Sequence, residues 1–161
     1  MASAGGTVEL GGSQASAPAL AWLRAAPAAG GSSRHAAVRM TYASTTGTRD
    51  VFGINAYGTS GQPLFGVLVD AASGDVRSMD ALGNVQSTGQ TMITGEAYDV
   101  DVWADLVART WGVCLNGTWI CKGMPFPEHG EFSDFAAQWL PGGGQRSQVI
   151  VHSAEVTSEA N

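Results

Sequence analysis

The sequence predicts an all-β fold, an antiparallel β-sandwich that follows an N-terminal arm rich in Gly, Ala and Ser. Apolar and polar residues alternate in short runs, as they do in strands with one buried face. Turn-forming residues separate these runs at intervals of roughly 8 to 15 residues. One of these turns, Asn116-Gly117, is the pair favoured where both central residues of a hairpin need a positive φ. Together these observations indicate many short strands joined by tight turns.

The predicted strands follow one another from His35 to the C-terminus, and only the N-terminal arm offers a weak helical stretch. The first run alternates from His35 to Tyr42, which predicts one buried and one exposed face. The run from Leu64 to Asp70 is almost continuously apolar, as expected of a central strand. Strands are predicted at 35–42, 51–57, 64–70, 76–79, 98–103, 107–115, 118–121 and 148–156.

The segment from Tyr98 to Phe126 contains the clearest β-signals of the chain. Its first run alternates apolar and acidic residues up to Trp103, and its second is rich in β-branched and aromatic residues. That second run ends at Asn116-Gly117, and a short return strand then leads to a proline-containing segment where regular strand pairing ends. The segment therefore predicts a strand followed by an antiparallel hairpin.

This segment resembles the late part of concanavalin A-like and laminin G-like jelly-roll domains, members of the lectin and glucanase superfamily. The resemblance extends over 38–156 and is most specific from Arg109 to Phe126, where a strand, an Asn-Gly turn and a Pro-Phe loop follow one another. It implies a jelly-roll sandwich in which the last strand returns to pair near the first. It implies no catalytic residues, because the shared motif is structural.

Two regions differ in composition. Residues 1–34 are predicted to form an N-terminal arm or edge strands, and residues 35–161 the β-sandwich domain. The first residues lack the basic start and apolar core of a signal peptide. Because particles released by lysis also carry surface proteins, we expect a location on a virion or on another extracellular surface.

The charge balance excludes two classes of partner. The net charge is −6, and only eight Lys and Arg residues are spread over 161 positions. Without a basic cluster, neither nucleic acid nor an anionic membrane surface is an expected partner. A charged fraction of 14%, about half the usual value, suits a protein that contacts other protein subunits in a homo-oligomer or a particle.

Closely spaced acidic residues predict a calcium site as one alternative. Asp99 and Asp101 are two positions apart on a predicted strand, so both carboxylates leave the same face. Calcium binds several carboxylate and carbonyl oxygens, whereas the other interpretation is a solvated strand face. The tight Glu-x-Asp-x-x-Glu arrangement of glucanases with this fold is absent. His129 and the other two histidines lack the spacing of metal ligands.

Tryptophans supply the candidate carbohydrate site. Exposed indole rings stack on sugar faces, and neighbouring amide and carboxylate groups then bind the hydroxyls. Trp103 shares its face with the aspartates, and Trp119 follows the hairpin turn. The predicted site is therefore formed by Trp103, Trp119, Asn116 and Asp101, whereas Trp111 and Trp139 are expected in the core.

Cys114 and Cys121 flank the hairpin. A two-residue turn at Asn116-Gly117 places Cys114 opposite Trp119, so the two cysteines lie diagonally. A diagonal pair strains a disulfide without preventing it, so a disulfide and two free thiols both remain open.

The function predicted from these features is non-catalytic. The sequence lacks a nucleophile elbow, a phosphate-binding loop and the strand motifs of sandwich-fold lyases, so we do not expect an enzyme. We expect a recognition or assembly module, such as a decoration or spike component with lectin-like potential for a glycan ligand. A secreted lectin-like domain, with or without calcium, is the alternative, and a glycoside hydrolase or polysaccharide lyase is a weaker one.

Overall fold

Residues 6–23, 31–80, 82–128 and 130–159 are described by a computed structural model, and they form two stacked antiparallel sheets of six strands each. Among these residues there is no helix that could cross a membrane. The strands are β1 (Val8–Gly11), β2 (Ala19–Leu23), β3 (Ser33–Ala43), β4 (Val51–Gly58), β5 (Pro63–Asp70), β6 (Asp75–Met79), β7 (Val85–Thr91), β8 (Tyr98–Asp105), β9 (Thr110–Leu115), β10 (Thr118–Pro125), β11 (Phe132–Leu140) and β12 (Gln148–Glu159).

The strand order defines a jelly-roll sandwich, as the sequence predicts. Sheet A has the order β1-β12-β3-β8-β9-β10, and sheet B has the order β2-β11-β4-β5-β6-β7. Four consecutive strands, β4 to β7, form a meander in sheet B, and β8 to β10 form another in sheet A. The chain crosses between the sheets on either side of these meanders.

The hydrophobic core lies between the two sheets and contains the aromatic residues expected there. Trp111 and Trp139 are both buried, which confirms their predicted place in the core. The Trp111 ring of sheet A stacks on Phe65 of sheet B, with ring centroids 4.8 Å apart. Because each strand contributes every second residue to this layer, the remaining residues form two outer faces.

The first and last strands meet in sheet A. β1 pairs with β12, and β12 pairs in turn with β3, which confirms that the last strand returns beside the first. β2 pairs with β11 at the edge of sheet B. Within 1–34, residues 8–11 and 19–23 are thus edge strands, one in each sheet.

The structure contains two strands that the sequence pattern did not predict. β7 is almost wholly polar and exposed, because it is an edge strand that needs no alternation. β11 lies between β2 and β4, and its Ala136-Ala137 pair gives it little β-propensity of its own. A third difference is at 107–109, where the predicted strand is replaced by a turn: Asp105 accepts hydrogen bonds from the Val107 and Ala108 amides.

Asp50 joins the loops at one end of the sandwich. Its carboxylate accepts hydrogen bonds from the amides of Gly142 and Ser147, at 3.0 and 2.6 Å, and from the Ser147 hydroxyl. The Arg146 guanidinium lies 3.4 Å from the same carboxylate. Since Asp50 is fully buried, these contacts fix the glycine-rich loop after β11 against the start of β4.

Candidate functional site

The predicted aspartates lie on the outer face of sheet A, where each contacts a basic side chain of β3. Arg39 donates two hydrogen bonds to Asp99, at 2.9 and 3.0 Å, across directly opposed positions. The His35 ring nitrogen Nε2 lies 2.7 Å from Asp101. Both carboxylates therefore leave the same face, as expected, but they are engaged by residues of the neighbouring strand.

Calcium binding at Asp99 and Asp101 stays a prediction. Across 6–23, 31–80, 82–128 and 130–159 there is no group of three or more His, Cys, Asp or Glu residues that could hold a metal ion. His129 lies outside the described residues.

Asn116 stabilises the hairpin turn. Asn116 and Gly117 have φ values of 49° and 77°, which confirms the two-residue turn. The Asn116 side-chain oxygen accepts a hydrogen bond from the backbone amide of Asp99, and the backbone amide of Asn116 donates to the backbone carbonyl of Asp99. Asn116 thus joins the turn to β8. Its place in a carbohydrate site stays a prediction.

The predicted tryptophans border a slot on the outer face of sheet A. Trp103 is opposite Gly112 in the neighbouring strand β9, and Trp119 projects from β10 on the far side of that glycine. The slot has a volume of about 220 Å³. Lys122, Thr110 and Asp105 also line it.

The cysteines are free thiols in this structure. Cys114 is directly opposite Trp119, as predicted, and a β-bulge places Cys121 opposite Val113. Burial raises the pKa of both thiols above the ordinary value of 9.0. A disulfide between Cys114 and Cys121 stays one of the two predicted alternatives.

A second group of polar side chains lies on the outer face of sheet B, and sequence analysis missed it. The Tyr57 hydroxyl donates a 3.0 Å hydrogen bond to the Gln138 side-chain oxygen. Asn55, two positions before Tyr57, is 2% exposed, and its side-chain oxygen has no hydrogen-bond partner among the described residues. Burial raises the pKa of Tyr57 above 10.0, although contact with Asn55 partly offsets the increase. We call Asn55, Tyr57 and Gln138 the tyrosine cluster.

Two further side chains border the tyrosine cluster. Trp22, on edge strand β2, packs edge-to-face against the Tyr57 ring with centroids 5.1 Å apart and remains 44% exposed. Asp134 is directly opposite Tyr57 in the register of β11 and β4, and it is only half-buried. Because Phe135 points into the core, Asp134 shares the outer face with Tyr57. The cluster thus has an accessible indole ring and a carboxylate beside it.

Small residues form the floor next to the tyrosine cluster. Gly53 and Gly66 point to the outer face, since their neighbours Phe52, Ile54 and Phe65 are in the core. A Cβ at Gly53 would overlap the Val67 carbonyl oxygen, and one at Gly66 would overlap the Asn55 side chain. The adjacent strands therefore approach closely on this face, which only glycine permits.

A weak signal for the tyrosine cluster is present in the sequence. Asn55 and Gln138 each interrupt a run of apolar residues inside a central strand of sheet B. A polar residue at such a position is either hydrogen-bonded or functional. Sequence reasoning could not pair the two strands, because Tyr57 and Gln138 are 81 residues apart.

No protein-family model and no curated protein matches this chain. Solved structures do match. A sialidase superposes with a TM-score of 0.73 at 10% identity over 94% of this chain and 15% of its own. An alginate lyase from Pseudomonas aeruginosa superposes with a TM-score of 0.64 at 14% identity, and the match covers 80% of this chain and 65% of the lyase. A marine alginate lyase of polysaccharide lyase family 7, from Zobellia galactanivorans, superposes with a TM-score of 0.58 at 10% identity. The match covers 81% of this chain and 63% of the lyase.

These neighbours correct the predicted function. The chain spans less than two thirds of each of these proteins, and identities this low establish the fold alone. The proteins that share the fold are nevertheless named as enzymes, which contradicts both the non-catalytic module and the prediction that the chain is not an enzyme. Roles in a virus particle or as a capsid decoration find no support in them. The absence of short catalytic motifs does not exclude catalysis, because a fold persists when such motifs diverge. The fold itself is a concanavalin A-like jelly roll, as the sequence resemblance implied.

Proposed function

We propose that this protein cleaves the glycosidic bonds of a uronate-containing polysaccharide by elimination, as a polysaccharide lyase does, and that the tyrosine cluster is its active site. The observation that carries the proposal is the buried Tyr57 hydroxyl, bonded to Gln138 beside an Asn55 oxygen that has no partner. Buried polar groups left unpaired cost about 1–3 kcal/mol each, so their presence favours a functional explanation.

The chemistry needs one group that removes a proton and one that donates a proton. A base takes the proton from C5 of the uronosyl ring, the electron pair forms the C4–C5 double bond, and the glycosidic oxygen leaves from C4 with a proton. Asp134 is the carboxylate next to Tyr57 and serves as the base. Tyr57 is the acid, because burial raises its pKa and keeps the hydroxyl protonated at neutral pH.

The other residues bind and orient the sugar. The Gln138 side-chain oxygen accepts from Tyr57, which leaves its amide hydrogens to donate to the substrate carboxylate. The half-exposed Trp22 ring offers a face for stacking. The named activities of the alginate lyases with this fold support the same substrate class.

The test is an incubation of the full chain with alginate and with other uronate polymers. Elimination releases unsaturated chain ends that absorb ultraviolet light, and Tyr57→Phe should lower the rate by at least about 100-fold. Tyr42→Phe is a matched control, because Tyr42 is also buried and donates one 3.0 Å hydrogen bond, to the Met92 carbonyl in the core. It should retain activity. Cleavage of none of these polymers, or equal rates for the two variants, would overturn the proposal.

Hydrolysis is the second candidate, because some glycosidases use a tyrosine nucleophile and Tyr57 has a carboxylate opposite it. Most glycoside hydrolases use two carboxylates, whereas one carboxylate, that of Asp134, adjoins Tyr57 among the described residues of this face. Hydrolysis is therefore the less favoured of the two reactions. New reducing ends without unsaturated ends would establish hydrolysis instead of elimination.

A further inference from the structure

The slot on the outer face of sheet A is bordered by aromatic rings. His35 and Trp103 occupy opposed positions of β3 and β8, and their rings stack with centroids 3.6 Å apart and planes 4° from parallel. The next strand, β9, contributes Gly112, which has no side chain, and Trp119 follows on β10. The Trp119 ring reaches over Gly112, and Trp103, Gly112 and Trp119 together border the slot.

The volume of the slot suits a single sugar ring. At about 220 Å³ it is below the usual range of about 300–1,000 Å³ for the sites of larger organic ligands. One pyranose ring is the occupant that this volume favours.

The walls of the slot are held in place before any ligand binds. His35 stacks on one face of Trp103 and is itself bonded to Asp101 at 2.7 Å, so the indole is fixed with its other face toward Gly112. A Cβ at Gly112 would lie 2.8 Å from the Trp119 ring. A β-bulge directly after Trp119 disrupts the regular alternation of β10 there. Because the His35–Trp103 stack is already formed without a ligand, less conformational entropy is lost on binding.

Charge decides which sugar fits best. The Lys122 ammonium lies over the Trp119 ring, 4.9 Å from its centroid, and Lys122 lines the slot. Lys122 makes no ion pair with any residue in the described part of the chain, where the ion pairs involve Arg39, Arg77 and Arg146. An exposed ammonium beside a stacking surface favours a sugar that carries a carboxylate.

We propose that the Trp103–Trp119 slot binds one uronosyl ring of the polysaccharide, on the face of the sandwich opposite the tyrosine cluster. The choice of a uronosyl ligand rests on the proposed function as well as on Lys122. The slot has no catalytic role in this proposal. It adds a second point of attachment to a polymer that the tyrosine cluster cleaves, and two linked contacts raise the effective concentration of substrate.

The test follows the indole N–H signals of the isotope-labelled full chain by NMR during titration with a uronate trisaccharide. We use the Tyr57→Phe variant, so that the ligand is not cleaved. The Trp103 and Trp119 signals should shift saturably, whereas the Trp139 signal should not, because that indole is buried and bonded to Ser147. Lys122→Gln should weaken binding at the slot about tenfold.

Matched variants separate the outcomes. Gly112→Ala places a Cβ 2.8 Å from the Trp119 ring, so it should displace that ring and abolish the shifts of Trp103 and Trp119. Val107→Ala, at an exposed turn, should leave them unchanged. Unmoved signals at millimolar ligand overturn the inference, and so does tighter binding of a neutral trisaccharide. Cleavage by the wild type without these shifts contradicts the slot alone. Shifts without cleavage contradict the proposed function alone.

Discussion

Replacing Asp50 by Asn should destabilise the protein by about 3 kcal/mol, although the two side chains have the same shape. The Asn carbonyl can keep the two bonds from Ser147, but its amide group then faces the Gly142 amide, which is also a donor. Hydrogen bonds to a charged group contribute about 1.5–3 kcal/mol, and a buried donor left unpaired costs about 1–3 kcal/mol. For a chain of this size, 3 kcal/mol corresponds to a fall in Tm of roughly 6–12 °C.

The pH dependence of unfolding provides a second measure of the same effect. Burial opposes ionisation of Asp50, but hydrogen bonds from Ser147 and Gly142 hold its pKa below the ordinary value of 3.8. A carboxyl with a lowered native pKa contributes its full stability above the unfolded pKa and loses it as the pH falls through the native one. The stability difference between wild type and Asp50→Asn should therefore be constant near neutral pH and shrink below about pH 4.

Urea unfolding at pH 7 and at several acidic pH values measures both effects. Asp99→Asn is the matched control, because Asp99 also binds an arginine, but both partners are about half exposed. Such surface pairs contribute about 0–1 kcal/mol, so this variant should stay close to the wild type. If Asp50→Asn loses no more stability than Asp99→Asn, or if its deficit is unchanged at pH 3, the account of Asp50 is refuted.

A glycine substitution in sheet B and thiol labelling in sheet A test how closely the strands are packed. Gly53→Ala should destabilise the protein by more than about 2 kcal/mol in urea unfolding, because the new Cβ overlaps the Val67 carbonyl oxygen. Gly6→Ala, which has nothing within 4 Å, is its control, and equal stability of both variants would show that sheet B can relax at this point. Cys114 and Cys121 should react with a thiol reagent at pH 7.5 much more slowly in the native protein than in urea, since burial raises the pKa of both thiols and lowers their thiolate fraction. Rapid native labelling would contradict the burial described for them.

Local chemistry was sufficient to predict the hairpin of sheet A. A turn with two positive φ values restricts the sequence to a few residue types, and Asn116-Gly117 is one of the strongest such pairs. The alternation of 98–103 likewise fixed which residues of β8 share a face, and Asp101 and Trp103 are found together on the outside of sheet A. These features depend on neighbours a few positions apart, which the sequence displays directly.

The missed strand β11 shows where this reasoning stops. Its residues have mixed propensities, and it is a strand because Phe135 and Trp139 fill the core while β2 and β4 supply its hydrogen bonds. Strand propensity measures how well a side chain packs on a pleated surface, so a central strand with Ala136 and Ala137 carries a weak local signal.

The sequence by itself therefore determined the all-β class, the sandwich, the hairpin and the aromatic core, because these follow from periodicity, turn chemistry and burial. Only the tertiary structure decided which polar groups meet. Tyr57 and Gln138 come together through pairing of β4 with β11, and Trp103 and Trp119 border one slot because β9, with Gly112, lies between their strands. Strand order and register set these contacts across up to 81 residues of chain, and neither is encoded in any short segment.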